Sequence, residues 1–278
     1  MLKQIQATSS NIKLTSDNYY DHDTDIRYQS ATLFKSYLKC EAETQAELSG
    51  EWKPERDNKA LLVGNYLHSY FESQEAHEAF IEKHQGELLS SRGKTKGKLK
   101  SDYQAADAMI DTLANDQGFC QLYQGEKEAI VTGEIFNVEW KGKIDCLDLN
   151  HKRFFDLKTS QDIHKSFWNS EVREKESFVA AYNYQLQMYV YRELIHQTFG
   201  IWCEPYIIAV SKQQYPDKAI ISIPDYRLQE AEELIAERQE RIEGVRRGEI
   251  KPHRCELCDY CRATKKLNEI VSMDDLVE

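Results

Sequence analysis

The sequence runs Gly142-Lys143-Ile144-Asp145-Cys146-Leu147-Asp148-Leu149 and, after the polar break Asn150-His151-Lys152-Arg153, continues Phe154-Phe155-Asp156-Leu157-Lys158. Apolar and polar positions alternate on both sides of the break, a pattern typical of a β-hairpin. Asp145 lies on the first arm of the hairpin. Asp156 and Lys158 lie two positions apart on the second arm, so their side chains project from the same face of the strand. Carboxylates that face each other across a hairpin can hold a hard divalent cation. A neighbouring Lys can orient a water and meet charge that grows on a phosphate.

An Asp-x-Lys pair on a strand is, on its own, a weak motif that usually marks a solvated face or a surface ion pair. Here the pair has an apolar setting, provided by Ile144, Phe154, Phe155 and Leu157. That setting, together with candidate partners elsewhere in the chain, favours a functional site over a surface ion pair.

The composition bounds the class of protein. With 278 residues and 41% hydrophobic content, the chain can bury a sizeable core, either as one large domain or as one domain with appendages. No run of about 18 apolar residues is present, and the N-terminus has no apolar secretory core, so we expect a cytoplasmic protein without a membrane span. The net charge of −11 argues against non-specific coating of nucleic acid but allows a local basic groove.

Periodicity predicts a mixed α/β architecture, with a central mixed β-sheet flanked by helices. We expect a flexible N-terminal arm over residues 1–27, a core domain over 28–250 and a Cys-rich tail over 251–278 that packs back on the core. The predicted helices span residues 30–40, 58–73, 102–115, 176–197 and 225–247, and further strands span 128–140, 204–211 and 219–223.

Two helices carry polar pairs at i, i+4 spacing, which places each pair on one helix face. Gly64 and His68 form one pair, and Gln185 and Tyr189 form the other. Gly64 is unfavourable inside a helix and suggests the close approach of another group. His68 is either a satisfied core histidine or a metal ligand. The second pair is either a surface Gln with a core Tyr or part of a site.

A basic, Gly-containing loop over residues 92–100 stands out in an acidic chain. Such a loop is either a solvated, mobile segment or a contact for a phosphate backbone, and the sequence leaves both open. Its cationic residues are Arg92, Lys94, Lys96, Lys98 and Lys100.

Three cysteines, Cys255, Cys258 and Cys261, crowd into a C-x2-C-x2-C run near the C-terminus. In a cytoplasmic chain this spacing indicates metal ligation rather than disulfides. It is closer to the tight triplets that hold iron–sulfur clusters than to paired structural zinc motifs, so we expect a [4Fe-4S] cluster, with zinc as the second choice. Cys40, which closes the first helix, is the best fourth ligand, and His253 is the alternative. The remaining thiols are expected to be ordinary buried residues: Cys120, Cys146 and Cys203.

Together these residues resemble the PD-(D/E)xK nuclease superfamily. The closest likeness is to the RecE-like exonucleases of phages and prophages, within the wider group of RecB- and AddB-type nuclease domains, over residues 28–267. The remote Cys followed by a Cys triplet is similar to the iron–sulfur arrangement of AddB-type nucleases, although the last gap is tighter here. Four family elements have counterparts in this chain: Gly-x3-His in Gly64 and His68, G-x-x-D in Gly142 and Asp145, D-x-K in Asp156 and Lys158, and Q-x3-Y in Gln185 and Tyr189.

The resemblance implies a PD-(D/E)xK core and a division of labour within its site. Asp145 and Asp156 would bind Mg²⁺ or Mn²⁺, helped by His68 and the carbonyl of Leu157, and Lys158 would position the attacking water. The pair Gln185 and Tyr189 would hold the active-site hairpin or touch the DNA backbone. The basic residues of 92–100 would guide the strand through its phosphates.

By the same resemblance, the substrate is a linear double-stranded DNA end degraded 5′→3′ in phage-type recombination. The remaining 3′ strand would pass to a single-strand annealing or recombinase protein, and a homo-oligomer that encircles DNA is possible within the group. Two other functions remain open: a non-cleaving DNA-binding module with an iron–sulfur or zinc tail, and a structure- or site-specific endonuclease. The presence of Asp145, Asp156 and Lys158 together favours cleavage over the binding module.

Overall fold

A five-stranded mixed sheet forms the centre of the chain in the computed structural model, which describes residues 13–55, 58–170, 172–267, 270 and 272–276. The strand order is β1-β2-β3-β6-β7, with β3 and β6 parallel and the other neighbours antiparallel. A separate two-stranded hairpin joins β4 to β5. The central mixed sheet with flanking helices, predicted from the sequence, is confirmed.

The strands are β1 (Glu126–Ile135), β2 (Val138–Asp148), β3 (Arg153–Ser160), β4 (Phe167–Asn169), β5 (Glu174–Glu176), β6 (Glu204–Ser211) and β7 (Lys218–Ser222). The α-helices are α1 (His22–Arg27), α2 (Ala31–Lys39), α3 (Glu41–Leu48), α4 (Lys59–Glu72), α5 (Gln74–Lys83), α6 (Gln85–Leu88), α7 (Ser101–Ala114), α8 (Gln117–Leu122), α9 (Phe178–Ala181), α10 (Tyr184–Phe199), α11 (Asp225–Arg246) and α12 (Asp259–Ala263). Two short 3₁₀ turns lie at Gly93–Thr95 and Met273–Leu276.

The predicted strand over residues 128–140 is wrong in one respect, because a tight turn interrupts it. Phe136 and Asn137 both have positive φ, +48° and +62°, as a two-residue hairpin turn of type I′ requires. Asn adopts this left-handed conformation more readily than most residues. The turn fixes the register of the β1–β2 ladder, in which Ile135 pairs with Val138 and Glu134 with Glu139.

The predicted long helix over residues 176–197 is also interrupted. Asn183 has a φ of +51°, which ends α9 and starts α10 at Tyr184. Ser177 caps α9 through its side chain. Because of the break, the residues of α9 and those of α10 do not share one helical period.

Helices cover both faces of the sheet, and each face has its own core. Trp140, Phe154 and Ile207 contribute to the first core with residues of α2, α10 and α11. Phe155 and Ile208 contribute to the second core with residues of α4, α7 and α8. This burial on both faces explains the near-continuous apolar runs of β3 and β6.

Gly142 permits the close approach of α10 to β2. A Cβ atom at this position would lie 2.9 Å from the ring of Tyr191, closer than atoms pack. The other glycine of the predicted motifs, Gly64, behaves differently, since a Cβ there would meet nothing within 4 Å. The expected close contact at Gly64 is therefore not made within the described residues.

The predicted N-terminal arm of residues 1–27 includes an ordered segment from residue 13 onward, whereas residues 1–12 lie outside the described part. Its anchor is Lys141 on β2, which is 2% exposed. The Lys141 ammonium donates to the carbonyl of Tyr19 and to the hydroxyl of Thr24, both at 2.7 Å, and pairs with Asp25. A buried charge needs such partners, so these contacts fix the segment on β2.

The elements that were not predicted from the sequence are the β4–β5 hairpin and the helices α1, α3, α5, α6, α8 and α12. Most are short and carry weak apolar periodicity, which is why pattern alone misses them. Within the part of the chain that the structure describes, every helix is too short or too polar to cross a membrane.

Candidate active site

The candidate site lies in the fork where β2 and β3 separate. The two strands pair only at Cys146–Phe155, Leu147–Phe154 and Asp148–Arg153. Beyond this ladder, the carboxylate of Asp145 accepts a hydrogen bond from the backbone N–H of Leu157 at 2.6 Å. The side chain of Asp145 thus takes the place that a backbone carbonyl of a paired strand would occupy. Side chains from the helices on both faces of the sheet can reach the space between the separated strands.

A distortion of β1 and β2 brings a third carboxylate to this fork. Glu128 lies opposite Asp145, between the ladder pairs Lys127–Cys146 and Ala129–Ile144, and the ladder skips it. Its φ of +53° is a left-handed conformation that is uncommon for Glu. Strained backbone of this kind concentrates at functional sites.

The same distortion changes the faces of β2. Ile144 packs in the first core, whereas Cys146, two positions later, packs in the second. In a regular strand these residues would share a face. Regular alternation therefore does not predict the local geometry at Asp145.

His68 reaches the fork from α4, with its Nδ1 3.4 Å from Oδ2 of Asp145. Burial disfavours the charged imidazole, but the charge and hydrogen bond of Asp145 outweigh burial and raise the pKa of His68. Burial likewise disfavours the Asp145 carboxylate, while His68, Lys158 and the Leu157 amide hold its pKa below the usual value.

One ligand atom from each of His68, Glu128 and Asp145 lies within 4.8 Å of the other two. Glu128 pairs with Lys143 at 2.5 Å. Burial and the neighbouring Asp145 raise the pKa of Glu128. One imidazole and two carboxylates form a donor set that suits a divalent cation such as Mg²⁺ or Mn²⁺.

Asp156 lies outside this trio and is 1% exposed. It forms an ion pair with Lys158, and its Oδ1 accepts a hydrogen bond from Nε2 of Gln187 at 2.8 Å. Burial raises the pKa of Asp156, and the neighbouring Asp145 adds to this, against the effect of Lys158. The pKa of Lys158 is raised too, because the charges of Asp156 and Asp145 outweigh its burial. The carboxylates therefore act electrostatically on one another, as parts of one site do.

The structure does not bring the predicted pair Gln185 and Tyr189 to these carboxylates. Gln185 donates to the side chain of Asn183 at 3.2 Å, and Tyr189 is buried in the first core, where its neighbour Glu232 accepts a side-chain hydrogen bond. Gln187 lies at the site instead, and its amide also donates to the hydroxyl of Tyr191 at 2.9 Å.

The chain contains two overlapping Q-x3-Y pairs, and both lie on α10, after the helix break at Asn183. Gln187 and Tyr191 also form a Q-x3-Y pair, two residues after the predicted one. Residues two positions apart on a helix differ in direction by about 200°, so the orientation of α10 that brings Gln187 to Asp156 turns Gln185 away from it. Glu128 was missed as well, although the Phe136-Asn137 turn, once recognised, places it opposite Asp145.

The predicted basic loop is exposed. Its five cations all reach solvent, and Lys100 also donates to the carbonyl of Glu87 at 2.6 Å. The loop pairs loosely with its own start through the Leu89–Leu99 bridge. The cations in question are Arg92, Lys94, Lys96, Lys98 and Lys100.

A second candidate centre lies where the junction of α2 and α3 meets the segment that contains α12. Cys40 caps α3 and lies 3.6 Å from the sulfur of Cys261 and 3.7 Å from that of Cys258. The sulfurs of Cys255 and Cys261 are 4.0 Å apart, and all four lie within 4.8 Å of one another. Four thiolates around one ion with metal–sulfur bonds of about 2.3 Å would be about 3.8 Å apart. This spacing therefore fits a single tetrahedral ion.

In a cubane cluster each thiolate sits on its own iron atom, so the sulfurs lie farther apart than around one ion. His253, the alternative fourth ligand, is not in the group; its amide donates to Glu41. Among the other thiols, Cys146 and Cys203 are buried as predicted, but Cys120 is exposed. The expectation for Cys120 was wrong because it lies on the outer side of the short helix α8, which was not predicted.

Comparisons with known proteins agree with this fold. The family described as a PDDEXK-like domain of unknown function (DUF3799) matches residues 30–264. A crystal structure described as a "Putative exonuclease" from Eubacterium rectale is similar, with a TM-score of 0.86 and 34% sequence identity over 95% of this chain and 98% of that chain. A crystal structure of SSO0001 gives a TM-score of 0.30 at 15% identity, over 83% of this chain and 91% of that one, which is too low to inform the fold. No curated protein matches the chain.

Proposed function

The chain belongs to the PDDEXK-like DUF3799 family, and from this premise we propose that it is a divalent-metal-dependent nuclease that hydrolyses DNA phosphodiester bonds. The observation that carries the proposal is the convergence of His68, Glu128 and Asp145 beside the Asp156–Lys158 ion pair in one fork of the sheet. A surface ion pair would not be buried among further acids. The similar structure described as an exonuclease supports the same activity class.

The proposed roles follow from the contacts. His68, Glu128 and Asp145 would hold a Mg²⁺ or Mn²⁺ ion together with Asp156 and the carbonyl of Leu157. Such an ion supplies positive charge that offsets the charge of a phosphate under attack.

The remaining residues act on the water and on the carboxylates. Lys158, held by Asp156, would orient the attacking water and stabilise developing negative charge. Gln187 fixes the orientation of Asp156 by donating to Oδ1, which leaves Oδ2 of this carboxylate for Lys158. Tyr191 in turn fixes the amide of Gln187. On this geometry, Gln187 and Tyr191 replace Gln185 and Tyr189 as the positioning pair.

For the substrate we propose a linear double-stranded DNA end, degraded 5′→3′, with the remaining strand passing to an annealing or recombinase protein. This finer assignment is supported by the RecE-like order of motifs and by the description of the similar structure as an exonuclease. The exposed cations of residues 92–100 would contact the DNA backbone, giving salt-sensitive binding without sequence preference.

For the second centre, we propose that Cys40, Cys255, Cys258 and Cys261 hold a metal that joins the two ends of the chain. The resemblance favours a [4Fe-4S] cluster, whereas the sulfur spacing favours one zinc ion. On the basis of the spacing, zinc is the assignment we put forward. Thiolate coordination of zinc contributes to folding stability, which suits a tail that packs against α3.

Digestion of linear and covalently closed circular duplex DNA with Mg²⁺ tests the proposed function, with the Lys158→Ala variant as control. We expect wild type to degrade the linear DNA only and Lys158→Ala to degrade neither. Loss of the circular DNA would indicate an endonuclease. DNA binding without cleavage by wild type would indicate the non-cleaving module and would overturn the proposal.

A further inference from the structure

A second lysine, Lys35 of α2, lies beside the proposed site. Its ammonium is 5.1 Å from the ring centre of Tyr184, and the ammonium of Lys158 is 5.1 Å from the same ring. Two cations therefore share one aromatic ring at the edge of the fork. Neither the sequence motifs nor the family likeness points to Lys35.

Lys35 is half-buried, and the described part of the chain places no carboxylate at salt-bridge distance from it. Its contacts are the face of Tyr184 and the carbonyl of Tyr182, at 3.4 Å. Burial lowers its pKa to about 8; the charges of Lys158 and Lys39 act in the same direction, and the carboxylate of Asp156 acts against them. A partly desolvated cation without an anionic partner is costly, and an anion that fills the place removes this cost.

The two neighbouring lysines differ in this respect. Lys158 forms an ion pair with Asp156, whereas Lys35 has no carboxylate at salt-bridge distance among the described residues. Tyr182 is 52% exposed, so the ammonium lies near the surface rather than in a closed core. A polyanion that approaches this side of the site would therefore find the ammonium of Lys35 accessible.

Both ends of the segment that holds Lys35 are fixed. Ser30 caps the start of α2 by accepting from the amide of Leu33 at 3.2 Å. The helix ends at Cys40, the first member of the four-cysteine group. The groups that contact the Lys35 ammonium, the Tyr182 carbonyl and the Tyr184 ring, lie on either side of Asn183. The left-handed conformation of Asn183 separates α9 from α10 at this point.

We propose that Lys35 binds a backbone phosphate of the DNA strand next to the one that is cleaved. This inference rests on the proposed function for the identity of the anion. The ammonium would contact non-bridging phosphate oxygens, a contact that positions the strand without reading its sequence. The four-cysteine group, by fixing the end of α2, would hold this contact at a set distance from the carboxylates.

The test is the salt dependence of duplex DNA binding, measured in the non-cleaving Lys158→Ala background with Ca²⁺ in the buffer. Each phosphate contact contributes about 0.9 to the slope of log affinity against log salt concentration. We expect Lys35→Ala to reduce the slope by about 1 and Lys35→Arg to retain it. Lys39→Ala, an exposed lysine one turn later on the same helix, is the matched control and should leave the slope unchanged.

An unchanged slope for Lys35→Ala would overturn the proposal, and so would an equal loss for Lys39→Ala, which would indicate a diffuse positive field. If Lys35→Ala does not fold, Lys35→Gln gives the same comparison with a longer side chain. Cleavage of DNA by the otherwise wild-type protein is measured in a separate experiment. If the slope depends on Lys35 but wild type does not cleave DNA, the proposed nuclease activity is rejected and the proposed phosphate contact of Lys35 is supported. Absence of DNA binding by every variant rejects both.

Discussion

Gln187 on α10 donates from its side-chain amide to Oδ1 of Asp156 on β3 at 2.8 Å, and this contact links the helical layer to the buried end of the fork. The amide also donates to Tyr191, so its orientation is fixed on both sides. Since Asp156 holds Lys158, the contact acts on the lysine through the carboxylate.

The first prediction compares two glutamines on this helix. Gln187→Ala should reduce kcat of DNA cleavage about 10-fold or more with little change in KM, because Asp156 loses its fixed orientation. Gln185→Ala is the matched control and should keep near wild-type kcat, since Gln185 contacts Asn183. Steady-state nucleotide release measures both. A reduction of kcat in Gln185→Ala but not in Gln187→Ala would contradict this prediction and support the pair Gln185 and Tyr189 instead.

The second prediction concerns the acid that sequence reasoning missed. Glu128→Gln should weaken Mn²⁺ binding about 10-fold or more, because one negative oxygen donor is lost beside His68 and Asp145. Calorimetric titration with Mn²⁺ measures the affinity. Glu134→Gln, an exposed position on the same strand, should bind like wild type. Equal affinities for wild type and Glu128→Gln would remove Glu128 from the ligand set.

The third prediction identifies the metal of the four-cysteine group. Protein purified anaerobically should contain about one zinc per chain and be colourless, because the sulfur spacing matches one tetrahedral ion. Elemental analysis and the absorbance near 400 nm decide between zinc and an iron–sulfur cluster. Cys258→Ser should lose most of the metal, while Cys120→Ser, an exposed thiol outside the group, should retain it. A brown protein with about four irons per chain would establish the cubane instead.

The fourth prediction concerns acid stability at the β2–β3 turn. Burial opposes ionisation of Asp148, but hydrogen bonds from the ring and amide of His151 and from Arg153 outweigh it and lower its pKa. A group whose pKa is depressed by folding contributes stability that is full above the unfolded pKa of about 3.9 and is lost as the pH falls below it.

Asp148→Asn should therefore lower the free energy of unfolding at pH 7, and its difference from wild type should shrink as the pH falls through about 4 toward 2. Urea titrations at a series of pH values measure this difference. Asp111→Asn, an exposed position on α7, should show little difference at any pH. A difference for Asp148→Asn that stays constant with pH would mean that packing, rather than charge, accounts for the loss.

Local patterns in the sequence predicted the β2–β3 hairpin, the α4 helix that carries His68, and the Cys triplet. They succeeded because alternation, helical period and Cys spacing are short-range signals. The structure also brings Cys40, which was predicted as the fourth ligand, next to that triplet, although the two are far apart in sequence.

The errors arose where backbone conformation departs from regular periods. Asn183 breaks a helix whose apolar pattern continues through it, and on the second of the two helices Gln187 rather than Gln185 contacts Asp156. The Phe136-Asn137 turn lies inside a run that alternates like one strand, which hid the register that places Glu128 opposite Asp145. Residues with positive φ, Asn183 in one case and Phe136 with Asn137 in the other, interrupt elements that the sequence pattern predicts as continuous.

We propose that the carboxylates of the fork bind a divalent cation and that this cation is required for DNA hydrolysis. The most direct test of this proposal is the release of acid-soluble nucleotides from linear duplex DNA by wild type with Mg²⁺, with added EDTA, and by Asp145→Asn. We expect release with Mg²⁺, none with EDTA, and a reduction of about 100-fold or more in Asp145→Asn with DNA binding retained. Release that persists in EDTA, or that Asp145→Asn leaves undiminished, would contradict it.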